Sequence, residues 1–349
     1  MTRMAWKFPL FVFLALASAF IMAGTGRSPA GSNASGAGRG EYRRPTETPY
    51  PDSNPYSAAK ATLGRSLFYD TRISFSQTRS CASCHPPSRS WSDGLPIAQG
   101  EGASIMKLRT PTLDDIAWLP RLGWDGKFRD IESVTFGPIL APSNVHMTEG
   151  LLIERLSTLP TYAVLFSAAF PDKQINRRNI EMALATFERS IVSGVAPFDR
   201  WVEGDEAAID EPAKRGFALF NGRANCSQCH SGWAFTDGSF HDIGVASGEE
   251  IGRGRYFPSS VKLKYAFKTP TLRDVSRRGP YMHDGSLATL QAVVDLYNKG
   301  GIDRPSRSEL IKPLGLTETE KADLIAFLGT LSDEGELAAK APAAVVREN

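Results

Sequence analysis

All four cysteines of this 349-residue chain stand in one five-residue pattern used twice, "CASCH" at 81–85 and "CSQCH" at 226–230. Cys-x-x-Cys-His is the attachment signature of c-type haem. Its two thiols add to the two vinyl groups of a porphyrin, and one helical turn between them carries the adjacent imidazole under the iron. A zinc site or a redox cysteine pair is the competing reading, but contiguous Cys-His gives poor tetrahedral geometry from one segment. Cys81, Cys84, Cys226 and Cys229 are therefore expected to anchor two haems, with His85 and His230 as proximal iron ligands. A chain so committed must fold around two flat apolar groups and has no sulfur left for disulfides.

That matters because the chain reads as exported, where disulfides are ordinarily expected. Arg3 and Lys7 precede an uncharged apolar run at 8–23. Residues 1–23 are expected to be a secretory signal, with "ASA" at 17–19 and "IMA" at 21–23 as cleavage sites. An uncleaved anchor is the alternative, although the run is short for a membrane span. Gly, Ser and Ala dominate the next segment, so 24–45 is read as a flexible linker. The expected location is the periplasm, with no membrane span in the mature chain unless the signal is retained. Basic and acidic residues number 40 and 38, for a net charge of +2, which gives no support for nucleic-acid binding.

The two motifs sit in a longer duplication. "LGRSLFYD" precedes the first and "KRGFALFNG" the second, and each motif is followed by Ser/Thr-Asp-Gly. Further on, "TPTLDDIAWLPRLGWDG" (110–126) matches "TPTLRDVSRRGPYMHDG" (269–285). "NIEMALATFERSIVSG" puts Ile180, Leu184, Phe187 and Ile191 on one helical face and is expected to end at Gly194. "TETEKADLIAFLGTLS" opens with Thr317 and Glu320 as a capping box, then buries Leu324, Leu328 and Leu331. Strand signals are weak. The expectation is an all-α protein: two c-type cytochrome domains related by internal duplication, with long irregular loops. The domains are drawn at 46–200 and 201–335, joined near 193–213, with a tail at 336–349.

Continued without gaps, the repeat alignment pairs Asp125 with Asp284, Val134 with Val293, and Pro138 with Tyr297. Tyrosine can ligate a haem iron and proline cannot. If these positions face their irons, the second is closed by Tyr297 and the first left open by Pro138, giving one reactive and one storage haem. Otherwise Tyr297 is a core phenol in "LQAVVDLYNKGG".

Taken together, "LGRSLFYDTRIS", "CASCH", "WDGK", "CSQCH", "FHDIG", "FKTPTLRD" and "PYMHDGSLATLQAVVDLYNKGG" make the chain resemble the diheme bacterial cytochrome c peroxidase and MauG superfamily, from about residue 57 to 331. The resemblance implies a peroxide-reacting N-terminal haem and an electron-storing C-terminal haem. The peroxidases usually place Met opposite the second haem's His. MauG and its relatives place Tyr there, and Tyr297 matches. An anionic oxygen ligand favours the higher oxidation states of iron. Trp124 matches the tryptophan between the haems and is implied to relay electrons; Pro138 matches a proline over the open haem face.

Two departures stand out. A Glu above the open haem is common in the family, whereas "GPILAPSNVHMTEG" offers Asn144 or His146. His146 could move a proton between peroxide oxygens or ligate the first haem at rest, or it stands idle in solvent; Asn144 could only orient. The family also bridges its domains with calcium. Its Asn ligand is replaced by Arg109, while the carbonyl ligands match Arg278 and Pro280. A guanidinium disfavours a cation site, so Arg109 is expected to occupy it or pair with a haem propionate. His241 and His283, each near an Asp, read as hydrogen-bonded scaffold residues, with contact to a haem propionate as the alternative. The family's surface Trp for a large protein substrate is missing near the second motif, with Trp233 just after it instead.

The expected enzyme is a periplasmic peroxidase or oxidase acting on hydrogen peroxide. Its reductant is either a protein substrate, as for MauG, or a small cytochrome c or cupredoxin, as for a conventional diheme peroxidase. A non-catalytic electron-transfer cytochrome is the rival from another class.

Overall fold

The structure is a computed structural model and describes residues 38–333 and 335. The expected signal at 1–23 and tail at 336–349 lie outside the described residues. The helices in chain order are α1 (Ala58–Tyr69), α2 (Cys81–Cys84), α3 (Ile131–Leu140), α4 (Glu149–Ser157), α5 (Pro160–Ala169), α6 (Arg177–Arg189), α7 (Pro197–Val202), α8 (Glu211–Asn221), α9 (Leu290–Lys299) and α10 (Glu318–Gly329). Among the described residues the sheet is one two-residue antiparallel pair, β1 (Phe240–His241) with β2 (Phe267–Lys268). Long loops join the rest, so the all-α expectation with irregular connections holds.

Each half is a helix pair with a third helix against it. In the first half α1 crosses α6, and α3 packs on α6; in the second α8 crosses α10, and α9 packs on α10. The crossings are close because glycine stands at each. A Cβ on Gly64 would run into the Ala183 carbonyl, and one on Gly216 into the Asp323 carbonyl. Amphipathic spacing supplies the rest: Leu63, Leu67, Phe68, Ile180 and Leu184 close one core, and Phe220, Leu324, Phe327 and Leu328 the other. Each such side chain contributes about 1.5–3 kcal/mol when fully buried. Arg189 grips Glu132 with two 2.6 Å hydrogen bonds, tying α6 to α3.

The duplicated 110–126 and 269–285 segments fold alike. Asp115 (φ 61°) and Asp274 (φ 56°) turn the chain in the left-handed region, which Asp tolerates. Leu122 then bridges Phe128, and Tyr281 bridges Leu287, at matching positions. Asp130 caps α3 and Thr289 caps α9, again at matching positions, so Pro138 and Tyr297 sit at the same place on equivalent helices.

Three sequence expectations shift. Helix α6 stops at Arg189, with Ser190 as its cap, rather than running to Gly194; Ile191 is still buried, by the loop. Gly194 is there for room, since a Cβ would strike Asp333. The capping box at Thr317 and Glu320 forms as expected. The linker expected over 24–45 is ordered at its end: Tyr42 is fully buried, stacks on Phe235 at 5.0 Å and donates its hydroxyl to Asn221. The cores change over between Ile191 and Phe198, so α7 already belongs to the second half, ahead of the boundary drawn at 200.

Candidate functional site: two haem cradles and the contact between them

The first cradle is opened by α2. Ser80 precedes it, its N–H donating to Ser83 Oγ at 3.0 Å, and the His85 N–H donates to the Cys81 carbonyl at 2.9 Å. The second motif makes one tight turn entered by Asn225 in the left-handed region, and the His230 N–H donates to the Cys226 carbonyl at 2.9 Å. In both, the same backbone bond closes one turn between the first cysteine and the histidine. The His85 Nδ1–H donates to the Trp91 carbonyl at 2.9 Å, and the His230 Nδ1–H to the Phe235 carbonyl at 2.8 Å. A carbonyl only accepts, so Nε2 carries the lone pair in each ring, as an iron ligand requires. Burial holds both imidazoles below the usual histidine range and therefore neutral.

In the second half, Cys226, Cys229, His230 and Tyr297 line one cavity, whose wall also includes Trp124 and Lys268. Burial, reinforced by the two thiols, pushes the Tyr297 phenol above its ordinary range. Lys268 is 8% exposed, and its ammonium reaches no protein acceptor among the described residues. Burial and then Arg278 pull it down to about 8. Two thiols, a tautomer-fixed imidazole, a phenol and an ammonium awaiting an anion, set in an otherwise mainly apolar wall, fit a covalently attached haem with a carboxylate-bearing edge.

In the first half Pro138 stands where Tyr297 stands in the second, and its carbonyl accepts from Val145 N–H at 3.4 Å. The loop after it carries Asn144 and His146. The Asn144 carbonyl accepts from Glu101 N–H at 2.5 Å, and its side chain makes no hydrogen bond among the described residues. His146 has φ 54°, is exposed and lies 5.6 Å from the exposed ring of Phe75. Glu101 is a neighbour that no motif marks: Oε1 accepts from Ser76 N–H at 2.9 Å, while Oε2 is buried without a partner.

The halves meet in a reciprocal backbone contact. Arg109 N–H donates to the His283 carbonyl at 3.0 Å, and its repeat counterpart Lys268 N–H donates to the carbonyl of Trp124, counterpart of His283, at 2.7 Å. The Trp124 indole N–H donates to the Arg109 carbonyl at 3.0 Å. The Arg109 guanidinium donates to the carbonyls of Arg278 (2.9 Å) and Pro280, the oxygens that the family resemblance implies for calcium. The Arg109 side chain thus lies on these two carbonyls.

His241 donates to Asp237 at 2.7 Å, and this bond together with the Cys229 thiol lifts its pKa to about 10. Cys229, Asp237 and His241 form a cluster able to hold a metal, its sulfur being one of the two in the second Cys-x-x-Cys-His motif. His283 departs from expectation. Instead of a side-chain hydrogen bond to Asp284 it stacks on Phe267, centroids 3.7 Å apart, and burial lowers its pKa. Trp233 packs edge-on to Trp118 at 4.8 Å, with Arg44 over its ring. No helix among the described residues is long and apolar enough to cross a membrane.

Comparison with known proteins gives the family. The family described as di-haem cytochrome c peroxidase matches residues 58–207. The chain is 50% identical over 298 residues to the methylamine utilization protein MauG of Methylorubrum extorquens, covering 85% of this chain and 84% of that protein. It is 34% identical over 318 residues to the cytochrome-c peroxidase IdrP1 of Denitromonas iodatirespirans, covering 81% and 84%. The crystal structure of a MauG-like protein associated with microbial copper homeostasis superposes with TM-score 0.80 at 30% identity, covering 85% of this chain and 95% of that one. With paired cradles, reciprocal halves and relatives of this closeness, the chain belongs to the di-haem cytochrome c peroxidase and MauG family, on its MauG-like side, and is an oxidoreductase carrying two c-type haems.

Proposed function

We propose that the protein uses hydrogen peroxide at its first half to oxidise a protein partner through its second half. The carrying observation is the asymmetry at one repeat position: Pro138 on α3, and Tyr297 beside His230 in one cavity on α9. When bound, the two haems supply the reduction of hydrogen peroxide with two protons and two electrons to two waters. Pro138 brings no donor atom to the first cradle, which leaves room for peroxide there. Asn144 orients the peroxide and His146 exchanges its proton with solvent, the loop 141–147 carrying both. Tyr297 and His230 line the same cavity, and with a haem bound there the phenolic oxygen and the imidazole would be the residues that hold its iron. Trp124, on the wall of the second cradle and bonded into the contact between halves, passes single electrons across it.

Relatives about half identical are named for methylamine utilization, which supports side chains of a partner protein in that process as the reductant. The basic and then apolar sequence of the first 23 residues supports periplasmic action. The test is ferric EPR followed by peroxide. One high-spin and one low-spin signal, then a peroxide-oxidised state that persists until a protein substrate is added, is the expected result. Two low-spin haems inert to peroxide would remove the reading. A strict need for prior one-electron reduction would replace the protein substrate by a small cytochrome c or cupredoxin donor.

A further inference from the structure

The side chain of Arg109 is 6% exposed and points across the contact between the halves. One terminal nitrogen donates to the Pro280 carbonyl, the other to the Arg278 carbonyl at 2.9 Å and to Ser92 Oγ at 3.2 Å. Its backbone works at the same place, since its N–H holds the His283 carbonyl and its carbonyl holds the Trp124 indole. Three oxygens that converge in this way would suit a hard cation. A guanidinium meets the two carbonyls with a planar fork, stays charged, and cannot diffuse away. Nε is left buried without a partner, a cost that the other contacts must outweigh. Lys268, the repeat counterpart, makes the matching backbone bond, yet its side chain reaches no protein acceptor among the described residues. The duplication therefore kept the backbone contact and put a clamp on one side only.

We propose that Arg109 is a positioning residue: a tethered cation that closes the contact between the halves and holds the Trp124 indole in it, so that this alignment needs no free metal ion. The proposal rests on the reading of Trp124 as the relay between halves.

The test uses the full-length holoprotein with Arg109→Ala, Arg109→Lys and Trp124→Phe. Electron exchange between the haems is followed by absorbance after partial reduction, and unfolding by calorimetry. Arg109→Ala is expected to slow exchange about tenfold or more, the lower range for removing a group that orients a metal centre. It should also split one unfolding transition into two. Millimolar guanidinium should restore both, Arg109→Lys should fall between, and a chelator should leave the wild type unchanged. Wild-type exchange and a single transition in Arg109→Ala would overturn the clamp, as would loss of exchange in chelated wild type. Should Arg109→Ala fail to fold, Arg109→Lys decides: full exchange without added cation overturns the proposal, and a guanidinium-reversible deficit supports it. If Trp124→Phe exchanges normally while Arg109→Ala does not, the relay reading fails and the clamp stands.

Discussion

The two halves share a backbone and differ in what they hang on it. Ser92 donates to the Thr110 carbonyl at 2.9 Å, and Thr236 donates to the Thr269 carbonyl at 2.7 Å. Thr112 reaches the Ser90 carbonyl, and Thr271 the Ala234 carbonyl, both at 2.7 Å. In each half these bonds flank the carbonyl, of Trp91 or Phe235, that holds the motif's histidine. Against that common frame stand three substitutions at matching positions: Pro138 for Tyr297, Trp124 for His283, and Arg109 for Lys268. A duplicated frame thus keeps its geometry through hydroxyl-to-carbonyl bonds and differs in a few side chains at matching positions.

The comparison breaks most sharply at the axial position. Tyr297→Phe keeps the ring and removes the oxygen. The expected result is loss of the low-spin ferric EPR signal of the second haem and a fall of more than about 100-fold in peroxide-driven oxidation, the upper range for disturbing a metal's surroundings. Unchanged spectra would mean that the phenol is only core.

Next comes the contact. Trp124→Phe should slow electron exchange between haems by about tenfold or more, whereas His283→Phe, which keeps a ring on Phe267, should leave it within about twofold. Equal effects would show that the contact as a whole matters rather than the indole.

The shared frame should respond equally in the two halves. Gly64→Ala and Gly216→Ala each force a methyl into a carbonyl across the helix crossing, and each should cost about 1–3 kcal/mol in chemical denaturation. A large inequality would mean that one crossing relaxes.

The smallest effect separates the halves by pH. Tyr162 donates to Asp70 at 2.6 Å after α1, whereas Tyr42 donates to the amide of Asn221 at the end of α8. Desolvation pushes Asp70 up, but hydrogen bonds from Arg72 and Tyr162 outweigh it and hold the carboxyl below its usual range. A depressed carboxyl stabilises the fold above its unfolded value, near 3.9, and that contribution is lost as pH falls through the folded value. Asp70→Asn should therefore cost roughly 1 kcal/mol at neutral pH and progressively less in acid. Asn221 carries no charge, so its bond should show no such dependence.

The haem anchors, the duplication, the capping box at Thr317 and the Pro138–Tyr297 asymmetry were all legible in the chain, because each depends on spacing within a few residues or on a repeat that aligns without gaps. The end of α6, the packing of Tyr42 and the surroundings of His283 were not. Each involves a partner far away in sequence: Asp115, whose N–H donates to the Ile191 carbonyl just beyond α6, Phe235 under Tyr42, and Phe267 over His283. Glu101 and Lys268 carried no local signal at all, since their interest lies in one unpartnered carboxylate oxygen and one buried lysine, which only the folded chain reveals.

By itself the sequence determined that the chain carries two Cys-x-x-Cys-His motifs in a duplicated frame, and that one half has a tyrosine where the other has a proline, because motif spacing and an ungapped repeat are local. Only the tertiary structure decided that Arg109 spans the two halves onto the carbonyls of Arg278 and Pro280 and that Trp124 hangs from it. Contacts between segments so far apart in the chain form only once each half has closed on its own core, and no spacing rule along a single segment encodes them.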